Sequence, residues 1–402
     1  MSPAPRRGAA LVFALGTTQT LAWASSTYLP AILAAPIARD LGVSTATVFG
    51  AFSVALLVMA LTGPAAGRAI DLRGGRPVLI LSNLVLAGGL LMLAGATGVA
   101  MLFAAWCVLG AGMALGLYDA AFATLVRIHG DAARKSITGI TLIAGFASTV
   151  GWPLSAFLDA QFGWRTACLV WAALHLLVAL PLNWRCIPPP GPPPPLRVEP
   201  SREDAQAARR RHRRTFMLVG IFFAATAFVT SAFAAHLPGI LLTMGAGAAG
   251  AVLAASLLGP AQVAARMAEF GVATRFNVHP LQTARVATAL HPLAALLLGV
   301  IGGPPAMAAV FALMHGAGNG MITIARGTLP LALFGPTGYG LQQGVLSVAA
   351  RTMQALAPFL FGLVLEQLGG RAALLLSGGV SLVALTALFL LRAETSTAGP
   401  GR

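Results

Sequence analysis

The chain has 402 residues, of which 57% are hydrophobic and only 9% charged, with a mean hydropathy of +0.82. A soluble domain carries about 25% charged residues, so this composition cannot coat a water-facing surface, and it also excludes intrinsic disorder, a disulfide scaffold and a collagen-like fibre. The net charge of +15 does not point to nucleic acid, because the 26 basic residues, all Arg except Lys135, are sorted between alternate loops of a chain whose solvent is lipid.

A spanning helix needs roughly 20 apolar residues. Charges, Gly-Pro pairs and polar turns break the chain into twelve such runs, with cores at 9–34, 46–66, 77–97, 99–126, 137–158, 166–184, 215–241, 246–265, 285–302, 305–330, 341–364 and 372–391. Arg6 and Arg7 before the first run, and Ala22-Trp23-Ala24 within it, mimic a secretory signal. Hydrophobicity continues to Leu33, however, so the run is read as span 1. The connections after spans 2, 4, 6, 8 and 10, together with both termini, hold nearly all of the basic residues, among them Arg68, Arg73, Arg76, Arg127, Arg134 and Arg185. The opposite loops hold only Arg39, Arg165 and Arg371. Positive charge stays inside, which places both termini in the cytoplasm and the protein in an inner membrane.

The longest polar segment divides the chain into an N-terminal six-helix bundle (1–184), a cytoplasmic Pro/Arg-rich linker (185–214) and a C-terminal six-helix bundle (215–402). Pro188 to Pro195 favours stiff polyproline II, and the cluster from Arg209 to Arg214 reads as a topology signal touching anionic lipid. The halves repeat. Tyr28-Leu29-Pro30 in span 1 answers His236-Leu237-Pro238 in span 7, and Gly110-Ala111-Gly112 in span 4 answers Gly316-Ala317-Gly318 in span 10. Gly163-Trp164-Arg165 after span 5 answers Gly369-Gly370-Arg371 after span 11. Parallel six-span repeats are a signature of alternating-access transporters whose site lies between the halves.

Between spans 2 and 3 the chain reads Gly67-Arg68-Ala69-Ile70-Asp71-Leu72-Arg73-Gly74-Gly75-Arg76. This resembles the G-x-x-x-D-R-x-G-R-R loop of the major facilitator superfamily, matched at Gly67, Asp71, Gly74 and Arg76 and departed from at Leu72 and Gly75. The resemblance implies an all-helical fold of twelve transmembrane helices, two six-helix bundles related by a pseudo-two-fold, acting as a monomer. It also implies a conformational latch in which Asp71 and Arg76 pair with helix ends. The stretch from Tyr28 to Arg76 is somewhat similar to monocarboxylate and oxalate/formate porters. The Gly-x-x-x-Gly-Pro pattern usual in drug antiporters is interrupted here by Gly151-Trp152-Pro153.

Other chemistries lack their residues. There is no phosphate-cradling G-x-x-x-x-G-K-[ST] loop, no H-E-x-x-H and no G-x-S-x-G, and Cys107, Cys168 and Cys186 share no metal-ligand spacing, so no enzyme, cofactor or metal is expected. Polar residues inside a bilayer are costly and mark function. Span 10 carries His315, Asn319, Thr323 and Arg326 on one helical face, and span 11 carries Gln343, Ser347, Arg351 and Gln354. Asp119, Arg326 and Arg351 are the ions expected deep in the membrane, with Asp119 and Arg326 at one depth and forming a gating pair. His175 and His291 are expected to bond neighbouring backbone, and His236 and Tyr28 to sit at the outer ends of their spans.

The sum of these ions leaves one positive charge, which suits a small organic anion, monocarboxylate-like, held by a guanidinium fork. Arg351, Arg326, Asn319, His315, Tyr118, Gln354 and Gln19 are the expected substrate ligands. Asp119, Arg326 and His236 are the expected gating or proton-coupling groups. The alternatives are a drug or metabolite efflux antiporter and a non-transporting receptor.

Overall fold

The computed structural model describes residues 4–189 and 202–391, with side chains from 8–189 and 209–391. It is helical along almost its whole described length, in ten stretches long and apolar enough to cross a membrane. Two of these, Val99–Phe162 and Tyr339–Leu390, each hold two passes, so twelve spans are present. Apolar side chains such as Leu61, Leu177, Val300 and Leu375 point outward and are at least 75% exposed. Such a surface is stable only against lipid, where every backbone group must be satisfied within its own helix.

Span 1 is broken, with helices Ala4–Ser25 and Leu29–Asp40 meeting at a turn. Span 2 is Thr45–Arg73 and span 3 is Gly75–Ala94. Span 4 consists of Val99–Gly116 and Tyr118–His129, and span 5 of Arg134–Ala144 and Ala147–Phe162. Span 6 is Trp164–Cys186, with a π-helical turn at His175–Ala179. Span 7 lies in Arg202–Thr243, so residues 202–214 are helical and continuous with the span rather than a loop. The polyproline tract falls mostly outside the described residues. Span 8 comprises Ala248–Ser256 and Leu258–Phe276, span 9 Pro280–Ile301 and span 10 Pro305–Phe334. Spans 11 and 12 share Tyr339–Leu390 and turn at Gly369.

The sequence repeat has a backbone counterpart. Gly163 ends span 5 at φ 82° and ψ 160°, and Gly369 ends span 11 at φ 81° and ψ 177°. These are positive-φ conformations that a Cβ disfavours, which is why both copies of the repeat keep glycine there. Gly110 brings span 4 against Ala55 of span 2, and its repeat partner Gly316 brings span 10 against span 8, where a Cβ would lie 2.8 Å from the Leu258 carbonyl. Small residues let membrane helices approach closely enough for dispersion contacts to hold them. Two apolar clusters lie mainly in the first bundle, around Trp106 and Trp171 and around Phe122, and two lie in the second, around Phe233 and Phe311 and around Phe222.

Among the described residues, every hydrogen bond joining the bundles lies at mid-depth or toward the Arg-rich side. At that end span 2 crosses span 11 so closely that a Cβ on Gly67 would overlap the Gly340 carbonyl, and one on Gly344 would lie 2.6 Å from the Gly63 carbonyl. The seam is shut on the Arg-rich side.

Candidate functional site

A layer of polar side chains lies roughly two to three turns in from the Arg-rich helix ends. It is organised by the break in span 4. Leu117 is extended (φ −79°, ψ −171°), which frees the Gly116 carbonyl and starts a new helix at Tyr118. Gln19 donates through Nε2 to that carbonyl at 2.6 Å. Asp119 thereby sits in the first turn of a helix, where the helix dipole favours an anion. Its carboxylate accepts from Gln343 Nε2 at 3.0 Å and from Arg351 Nη2 at 3.2 Å. Arg351 is 6% exposed and donates through Nη1 to Gln354 Oε1 at 2.8 Å. With Ser347 and four glycines, this pair lines a cavity of about 10 Å³, which is room for about one water.

The expected pairing of Asp119 with Arg326 is therefore corrected: the partner in this conformation is Arg351. Arg326 turns toward span 7, donating through Nη2 to the Phe223 carbonyl at 3.1 Å, with its guanidinium 5.7 Å from the centre of the Phe223 ring. Its buried Nε has no partner among the described residues. Asn319, about two turns farther from the Arg-rich end on span 10, likewise meets span 7, accepting from Thr230 at 3.0 Å. Equal depth placed Asp119 and Arg326 in one layer, but the rotation of each helix about its axis points them at different neighbours.

Deep charge was also undercounted. Arg266 and Glu269, just past the apolar run 246–265, lie inside a helix that runs on to Phe276, and they are 6% and 7% exposed. Arg266 donates to the Thr141 carbonyl across the seam at 3.1 Å and to the Gly320 carbonyl at 3.3 Å. Tyr28 and Tyr118 stand at the breaks in spans 1 and 4. Those two rings belong to an aromatic row, Trp152, Tyr28, Trp23, Tyr118 and Phe122, whose successive centroids are 5.0–6.0 Å apart. Among the described residues, neither Arg266 nor Arg326 has a carboxylate within ion-pair distance. The signal that could have found Arg266 was the recurrence of small and polar residues at Ala261, Gln262 and Ala265 along one face of span 8.

His175 and His291 bond side chains rather than the neighbouring backbone. His175 meets Ser25 at 2.8 Å and Asn83 at 2.9 Å in the first bundle, at the break in span 1. His291 and His315 join Nδ1 to Nδ1 at 2.8 Å, enclosed by Phe233 and Phe311. His315 thus lies in the bundle interior, away from Asp119. His236 bonds the Pro358 carbonyl at 2.7 Å within its own bundle.

The loop singled out by resemblance caps a helix across the seam. Asp71 accepts from the Gly340 and Leu341 amides at 2.9 and 2.8 Å, at the start of span 11. Gly74 supplies the positive φ of 77° that ends span 2, and Gly67 supplies the close crossing. Arg76 has no bonding partner among the described residues.

Residues 15–301 match the family described as Major Facilitator Superfamily. The chain belongs to that superfamily. A 152-residue stretch is 33% identical to an uncharacterized 38 kDa protein in the 23S RNA operon of Thermoproteus tenax, covering 38% of this chain and 40% of that protein. A 178-residue stretch is 32% identical to an MFS-type efflux pump of Mycolicibacterium smegmatis, covering 44% of this chain and 41% of the pump. The chain thus spans about two fifths of the length of these curated relatives. Its fold is that of the human organic anion transporter MFSD10 (TETRAN), with a TM-score of 0.69, 18% identity and coverage of 96% of this chain and 100% of that one. It also matches the major facilitator transporter FucP in the outward conformation, with a TM-score of 0.69, 16% identity and coverage of 94% and 98%. This membership makes the chain a multi-pass membrane protein of a transporter family rather than an enzyme.

Proposed function

We propose that this superfamily member is a monomeric secondary transporter of a small organic anion, working by alternating access in an inner membrane with both termini cytoplasmic. One observation carries the reading: Arg266 and Arg326 are held at mid-depth, and among the described residues neither has a carboxylate within ion-pair distance. A guanidinium in low dielectric is costly unless an anion visits, and its fork matches a carboxylate. The aromatic row from Trp152 to Phe122 supplies an apolar wall for the body of the substrate. Arg351 is neutralised by Asp119 in the outward-facing state, so it acts as gate rather than first ligand. Protonation of Asp119 would release Arg351, which couples a proton to closure. Asp71 on the first turn of span 11 latches the cytoplasmic seam until that happens. The division at 185–214 lets the two bundles rock about this seam.

Uptake of labelled carboxylates into vesicles, with and without an inward proton gradient, tests the reading. Accumulation that responds to the gradient is expected; uptake of only neutral or cationic solutes sinks the anion assignment. The printed name of the mycobacterial relative favours efflux as a second reading, and the same vesicles, loaded with substrate, reveal direction. Binding without flux would instead identify a receptor. Orientation is checked separately in intact cells: single cysteines at positions 163 and 369 should label from outside, and one at 200 should not.

A further inference from the structure

At the Arg-rich end, spans 8, 9 and 10 part around a crevice of about 620 Å³, within the range of ligand sites. Ala265, Ala268, Val272, Val278, Val286 and Met321 form its apolar walls, and Glu269, Gln282, Thr283 and Arg285 form its polar end. Val272 and Val286 are 48% and 59% exposed on the lipid-facing surface, so the mouth opens into the bilayer. Glu269 lies two turns from the end of span 8, and Arg285 in the second turn of span 9.

The polar end is chemically incomplete. Glu269 Oε1 accepts from Thr283 at 3.4 Å and pairs across the seam with Arg134 at 3.5 Å, but the buried Oε2 has no partner. A buried carboxylate oxygen without a donor is costly. Arg285 uses Nε and Nη2 on the Leu388 and Leu391 carbonyls and stacks 4.7 Å over Phe389, and among the described residues Nη1 has no acceptor. The site therefore offers one acceptor that wants a cationic N–H and one guanidinium edge that suits a phosphate, over an apolar slot open to lipid.

We propose that this crevice binds a zwitterionic phospholipid carrying a primary ammonium, with the ammonium on Glu269 Oε2 and the phosphate at Arg285. The carboxylate that holds Arg134 is then shared with the headgroup, so the lipid is a component of the closed cytoplasmic seam. The site is distinct from the Arg266 and Arg326 layer.

The test is lipid retention, which does not require transport. Protein purified from vesicles containing equal phosphatidylethanolamine and phosphatidylcholine is washed in detergent, and bound lipid is counted by mass spectrometry. Ethanolamine lipid should be retained about tenfold over choline lipid, whose trimethylated nitrogen has no N–H to donate. Glu269→Gln should erase this preference, Arg285→Gln should lower retention of both lipids, and Val272→Trp should block the slot while leaving the ion pair intact. Equal retention of both lipids by the wild type overturns the proposal. So does an unchanged preference in Glu269→Gln or undiminished binding in Val272→Trp. Soluble phosphoethanolamine is the remaining arm, and binding as tight as the lipid's would make this a site for a water-soluble ligand and overturn the lipid assignment.

Discussion

Arg266→Gln is expected to weaken anion binding by about 10- to 100-fold, because hydrogen bonds to a charged group are worth about 1.5–3 kcal/mol and each 1.4 kcal/mol is tenfold. The residue is 6% exposed, and among the described residues its partners are backbone carbonyls, Gln262 and Thr323. If its work were to tie span 8 to spans 5 and 10, Gln would lower thermal stability, and binding by the protein that remains folded would be normal. If its work is to hold substrate, the folded variant loses affinity for carboxylates. Arg266→Lys discriminates further: it keeps the charge but not the planar fork, so it should recover only part of the affinity. Isothermal titration of the purified protein with a transported carboxylate reads both variants, and wild-type affinity in Arg266→Gln would remove this residue from the site.

The second large effect concerns the pair of Asp119 and Arg351. Removing one partner of a buried ion pair leaves an uncompensated charge and costs about 3–5 kcal/mol, whereas replacing both together costs far less. Asp119→Asn and Arg351→Gln should therefore each lower the midpoint of thermal unfolding strongly, and the double variant should stand well above either. The 3.2 Å contact, the flanking bonds from Gln343 and to Gln354 and the tiny cavity beside them leave little water to screen the remaining charge. Transport should be lost in all three, since the double variant restores the fold but no longer has a titratable gate. A double variant as unstable as the sum of the singles would show that the two side chains act independently.

Depth and membership of a span were legible in the amino-acid order alone. Twelve runs and the glycines at 163 and 369 follow from hydropathy and repetition, and the structure carries both. Asp71 was legible as a helix-end partner through its motif, and it caps span 11. Partner choice was not legible. Arg266 was read as loop because charge ordinarily ends a hydrophobic run, yet a charge facing protein carbonyls does not end a helix. His291 and His315 lie 24 residues apart on separate spans, a distance at which no local spacing rule applies. Asp119 shares a depth with Arg326 but meets Arg351. Hydropathy and the 3.6-residue period determine how deep a residue sits and which face it shares. Which face meets which helix was decided only by the tertiary structure, through the rotation that close packing at Gly67, Gly340 and Gly344 imposes.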